Sequence, residues 1–188
     1  MPFLVVNSDE DSVLPILLGG NNEEDRDYVR EKLVIDKGDA VITKYIQHSV
    51  PFHKDNYFKA YMDYRCITDT SSKQWAMQLG AYTDENGMRK IGDYYCIALG
   101  SGFSSALGSK FKITLDTGVE FLGILADQKA NIHTDSSNRF IDVGSRLNIV
   151  EFIVQDDMLP SIVKTMGDVN YTPGDIFKGN IIRIEEIE

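Results

Sequence analysis

The chain is poor in the residues that mark several protein classes: in 188 residues it has one tryptophan, two cysteines, three histidines and five prolines. Cys66 and Cys96 allow one disulfide at most, which excludes a cysteine-stapled scaffold. Each sits in an apolar or aromatic run. They read either as buried thiols or as one bridge joining two strands in an oxidising compartment. His48, His53 and His133 stand at no zinc-site spacing from a cysteine, so neither a metal nor a cofactor is expected. Gly100, Gly102 and Gly108 lack the Gly-Lys-Ser/Thr step of a phosphate-binding loop, and no Gly-x-Ser-x-Gly elbow occurs.

Long apolar runs are also missing. Leu14 to Leu18 is among the longest and contains Pro15, far short of a membrane span. No basic segment leading into an apolar one opens the chain, so no signal peptide and synthesis in the cytoplasm are expected. The formal net charge is -10, and its distribution is uneven. Ten acidic groups face four basic ones up to Ala40, twelve face twelve from Val41 to Val154, and seven face three beyond. With acidic ends and no basic stripe, neither nucleic acid nor an anionic membrane surface is an expected partner.

What remains is a globular composition, 43% apolar and 26% charged, long enough for one substantial core. Phe3 to Val6 and Val13 to Leu18 read as short strands. The acids Glu23-Glu24-Asp25 suit a helix N-terminus, and Tyr28, Val29 and Leu33 form a narrow stripe on that expected helix, which ends near Asp36. Strand signals dominate afterwards: Val41 to Ile46, Tyr57 to Tyr64, Tyr94 to Leu99, Lys110 to Leu115, Val119 to Ala126, Phe140 to Val143, Leu147 to Val154 and Ile181 to Ile184. Gln74 to Tyr82 fits a strand or a brief helix, and the period-two spacing of Trp75, Met77 and Leu79 favours the strand. Asn86-Gly87 and Asp116-Thr117-Gly118 mark tight turns.

The order of these segments carries a family likeness. Ile97-Ala98-Leu99-Gly100 leads to Ala106-Leu107-Gly108-Ser109-Lys110-Phe111, then through Asp116-Thr117-Gly118 to Ile124-Leu125-Ala126-Asp127. Arg139-Phe140-Ile141-Asp142 and a closing strand follow. This stretch, about residues 94–154, resembles the three-aspartate cell-wall hydrolase family, whose core is a double-psi β-barrel. The resemblance implies a mainly β fold: a six-stranded double-psi β-barrel over 41–154, a helix-containing acidic extension over 1–40 and a C-terminal strand extension over 155–188.

It also implies a lytic transglycosylase acting on the muramic acid–glucosamine bond of peptidoglycan, associated with a phage or a cell wall. Gly100 stands where the family has its first aspartate, so Asp127 and Asp142 are the surviving acids. Asp127 would be the general acid/base and Asp142 its electrostatic or hydrogen-bonding partner. Gln74, Trp75, Tyr82, Lys129 and His133 would grip the glycan strand. The alternative is a non-catalytic glycan-binding or structural module of a virion or wall-associated assembly. In that reading the acidic termini would contact further copies or virion proteins.

Overall fold

The computed structural model describes residues 16–18, 27–36, 39–51 and 54–188. The expected strand Phe3 to Val6 and the acids Glu23 to Asp25 lie outside them. In chain order the elements are β1 (Ile16–Leu18), β2 (Asp27–Asp36), β3 (Asp39–His48), β4 (Ala60–Asp63), α1 (Lys73–Gly80), β5 (Tyr82–Thr83) and β6 (Arg89–Ile91). There follow β7 (Tyr94–Leu99), β8 (Lys110–Leu115), β9 (Glu120–Gln128), β10 (Ile141–Val143), β11 (Arg146–Asn148), β12 (Glu151–Val154), α2 (Ser161–Met166) and β13 (Ile181–Ile187).

Eleven strands form one mixed sheet in the order β1-β2-β3-β13-β8-β9-β7-β12-β4, with β6 on β7 and β5 on β6. The pairs β7–β9 and β12–β4 are parallel. The sheet is open. A barrel requires the last strand to pair back onto the first, and among the described residues β1 and β4 share no ladder. The expected six-stranded double-psi barrel is therefore overturned. So is the notion of a C-terminal strand appended to it, because β13 runs inside the sheet between β3 and β8. The expected N-terminal helix is likewise replaced, over 27–36, by β2. Val29, Val34 and Ile35 are β-branched, and β2 pairs with β3 from Tyr28–Gln47 to Asp36–Asp39.

Two apolar clusters cover the two faces of the sheet. The larger gathers Ile97, Phe111, Leu125, Phe152 and Ile184, and at its centre Phe152 and Phe177 lie 4.5 Å apart between ring centroids. The smaller one contains Ile67, Cys96, Ile124 and Ile153, with Trp75 and Met77 of α1 packed on it. Cys96 is buried, Cys66 is exposed, and both are free thiols.

The helix α1 replaces the expected strand at 74–82. Ser72 caps it, its side chain accepting from Trp75 N at 3.1 Å. Its far end is closed by buried Arg89, which donates to Ala81 O at 3.0 Å and to the Gln78 carbonyl. The same guanidinium lies over the Tyr64 ring at 4.4 Å.

The placement of β13 depends on the segment before β4. Asn56 Oδ1 accepts from Ile181 N at 2.7 Å, and its Nδ2 donates to Ile181 O at 3.0 Å. One side chain thus imitates a strand and holds the first residue of β13. Lys59, fully buried, donates to Gly179 O at 2.7 Å, to Asn170 Oδ1 at 3.0 Å and to Tyr57 O at 3.0 Å. Its three N–H groups meet three acceptors, while burial lowers its pKa to about 8.

Replacing Asn56 by alanine removes both bonds to Ile181 and leaves that buried N–H and C=O without partners. The expected loss is about 2 kcal/mol or more of unfolding free energy, read from urea denaturation. An unchanged midpoint and slope would mean that β13 is held without this contact.

Candidate functional site

The residues expected to act on a glycan are spread over separate parts of the fold. Asp127 lies near the end of β9 with Ala98 of β7 as its Cα partner, where the register shifts between Ile97 and Ala98. Asp142 belongs to the separate two-stranded sheet β10–β11. It is exposed and paired with the ammonium of Lys54, which also reaches Gly144 O at 3.3 Å. No hydrogen bond or ion pair joins Asp127 to Asp142. Gln74 and Trp75 sit on α1, Trp75 against the smaller cluster. Tyr82, half exposed, donates its hydroxyl to Gly92 O at 3.1 Å. His133 is exposed at the end of a single helical turn, Asn131–His133. An open cleft of about 310 Å³ is lined by Lys54, Asp55, Asn56, Asn180, Ile181 and Ile182, and none of the expected site residues lines it.

Gly100 shows why an aspartate cannot stand there. A Cβ on it would fall 2.0 Å from the carbonyl oxygen of Asn138, which is backbone and cannot swing away. The neighbouring loop closes on this bare backbone, and Gly102 N donates to the same Asn138 O at 2.9 Å.

Lys129 turns inward. Its ammonium lies 3.6 Å from the Glu151 carboxylate and 3.3 Å from Asn148 O. With the Asn148 amide turned to donate to Val150 O at 2.9 Å, its oxygen also accepts from Lys129 at 3.1 Å. The carboxylate beside Lys129 is thus the chain's own. Glu151 and Asp127 are the Cα partners of Ala98 on its two sides, so Lys129 ties the end of β9 to the start of β12. Burial lowers its pKa to about 8, and the Glu151 charge opposes that shift.

Sequence reasoning missed a second polar cluster. Glu186 of β13 lies 3.6 Å from the imidazole of buried His48 on β3. Ser104 and Ser109 lie with their hydroxyls 3.0 Å apart in the loop before β8. Burial would raise the Glu186 pKa, but hydrogen bonds from His48, Ser109 and Ser104 hold it below the ordinary glutamate value. Three side chains from two segments thereby converge on one acid and fix β13 against its neighbours. Their separations in sequence left no local signal.

The hairpin of β2 and β3 is the longest ladder among the described residues. β1 pairs only with residues 27–29 of β2, and β13 only with Tyr45–His48 of β3, extended by Glu188 N to Lys44 O at 2.9 Å. Among the described residues, 30–36 and 39–43 therefore have no strand partner but β3 and β2 respectively. At about 3.4 Å per residue this arm reaches roughly 20 Å beyond its root. Its facing Cα partners include Leu33–Ile42, Val34–Val41 and Ile35–Ala40, apolar at both positions. A two-stranded hairpin is marginally stable alone, and its open edges are templates for further strands.

No family model, curated protein or solved structure matches the chain. The likeness to the three-aspartate hydrolases thus has neither fold nor relatives behind it. The transglycosylase expectation and its non-catalytic glycan-binding, virion- or wall-associated alternative lose their shared premise, the barrel. Among the described residues no helix is long and apolar enough to cross a membrane.

The buried Lys129 makes stability depend on alkaline pH. Its pKa is about 8 folded against 10.5 for the ordinary group. Between those values the unfolded chain holds more protons, so folding becomes more favourable as pH rises. Lys59 acts in the same direction. Urea denaturation at pH 7 and pH 9.5 should show wild-type stability rising. In Lys129→Met the rise should be smaller by about 2 kcal/mol at most. An identical rise in the variant would show that Lys129 titrates normally.

Proposed function

We propose that the protein is a self-associating assembly subunit, joined to further copies of itself through the β2–β3 arm. The observation that carries this reading is the ladder itself: two ten-residue strands that pair with each other along their whole length and, among the described residues, with other strands only near their root. Such an arm gains most by adding its edge to another strand, which supplies the backbone partners and apolar contact that an isolated hairpin lacks.

Charge supports the same reading. Residues 30–44 contain Arg30, Lys32, Lys37 and Lys44 against Glu31, Asp36 and Asp39, a net of +1, which leaves -11 on the remainder of a chain whose total is -10. Two bodies of that charge repel at contact. An arm about 20 Å long meets its counterpart beyond the screening length of roughly 8 Å at physiological salt, so the excess acid is little felt there.

Sedimentation equilibrium over a wide concentration range tests the proposal. The expected result is a mass that climbs above the 21.2 kDa of one chain as concentration rises. A shortened form, with residues 32–43 replaced by an Asn-Gly turn between Glu31 and Lys44, should remain a single chain. A wild-type protein that stays monomeric throughout, or a shortened form that associates equally well, would overturn it.

A further inference from the structure

One buried cluster sets a nucleophile against an electrophile. Lys59 stands just before β4, and Asn170 lies in the single helical turn Val169–Tyr171. The two segments are laced through their backbones: Val169 N donates to Lys59 O at 3.0 Å, and Lys59 N donates to Asp168 Oδ1 at 3.2 Å. That frame holds Lys59 Nζ 3.0 Å from Asn170 Oδ1. The carbonyl carbon Cγ is one bond of about 1.23 Å from this oxygen, so Nζ is at most about 4.2 Å from it. Reacting atoms meet at about 3–3.5 Å, a distance that small torsions at the end of the lysine side chain can reach.

Asp168 completes the set. Its Oδ1 accepts from Asn170 Nδ2 at 2.7 Å and from Asn170 N at 3.0 Å. Nδ2 also donates to Tyr57 O. Lys59, Asp168 and Asn170 are 0%, 3% and 2% exposed, which shuts water out of the reaction. Burial lowers the Lys59 pKa to about 8 against the opposing charge of Asp168. Near neutral pH roughly a tenth of Lys59 is therefore a free amine, the form that can attack a carbonyl carbon.

We infer that Lys59 and Asn170 join in an intramolecular isopeptide bond, formed by the chain itself with Asp168 as general acid/base. Lys59 passes an ammonium proton to the Asp168 carboxylate. The freed lone pair forms the Nζ–Cγ bond while the C=O pair moves onto Oδ1. Asp168 then gives its proton to Nδ2. The C=O bond re-forms, the Cγ–Nδ2 bond breaks with its electrons on nitrogen, and ammonia leaves. Asp168 takes the surplus proton from Nζ and ends as a neutral acid. Two buried opposite charges are thus exchanged for an amide and a carboxylic acid, with no oxidant or co-reactant. Once linked, Nζ no longer titrates, which leaves the alkaline stabilisation to Lys129.

Lys129 is an internal comparison. It is also buried, and with the Asn148 amide turned as described it lies 3.1 Å from the Asn148 side-chain oxygen. There the amide nitrogen donates to Val150 O, a carbonyl with no proton to return to a leaving group. Lys129 is expected to stay unlinked.

Mass spectrometry of the full chain tests the bond. The intact wild-type protein should be lighter than its sequence by one ammonia. After unfolding and trypsin digestion, peptide 55–65, uncut at Lys59, should appear joined to peptide 165–178. Asp168→Asn keeps an oxygen to accept the same backbone N–H groups but cannot exchange protons. It should link at least about a hundredfold more slowly, followed by intact mass over time. Full mass in the wild type, with trypsin cutting after Lys59, would overturn the proposal whatever the fold of the variant. Loss of one water with the branch at Asp168 would overturn Asn170 as the electrophile. Linking of Asp168→Asn at the wild-type rate, or a second branch at Lys129, would overturn the role given to Asp168.

Discussion

The capture of β13 by the segment before β4 is the constraint on which the remaining architecture rests. Asn56 binds both backbone groups of Ile181, and Lys59 binds Gly179 just ahead of it. β13 then supplies the only ladder between β3 and β8 among the described residues. Within the sheet, the apolar body on one side and the arm on the other are therefore joined through this one strand among the described residues. The price is a buried ammonium group, borne because each of its protons finds an oxygen. The Glu186 cluster, with His48 and two serines, fastens the same strand near its other end.

Much of the local structure was legible in the sequence. Tyr94 to Leu99 and Lys110 to Leu115 coincide with β7 and β8, because their apolar runs end at strong turn residues. Two elements misled. Trp75, Met77 and Leu79 mimic a strand period, yet Leu79 is 71% exposed while Gln78 is buried; the Ser72 cap was the better signal. Tyr28, Val29 and Leu33 were read as a helical stripe, although the β-branched residues around them favour the extended chain that β2 adopts. Sheet closure was beyond local reading. It depends on which distant strand fills the place beside β8, and Ile181 to Ile184 gave only the sign of a strand.

The candidate site was legible only as a set of residue types. Asp127 and Asp142 do occur at strand positions, but they belong to different sheets, and Asp142 is occupied by Lys54. Lys129 was read as gripping the glycan strand and is instead turned inward beside Glu151. Gly100 looked like a lost carboxylate, whereas the close approach of Asn138 demands a residue with no side chain. The arm was hidden for a different reason. Its strands are ordinary in composition, and only the ladder shows how far, among the described residues, their neighbours accompany them.

The position of β13 has a consequence for the order in which the body is made. As the chain leaves the ribosome, β3 and β8 emerge long before the strand that belongs between them. Until Ile181 to Ile187 have been synthesised, no ladder among the described residues links the nascent hairpin to the aromatic core, and the slot beside β8 stays open to any extended segment that passes. Completion of the sheet is in this sense a late event, governed by translation and not by the intrinsic speed of hairpin formation.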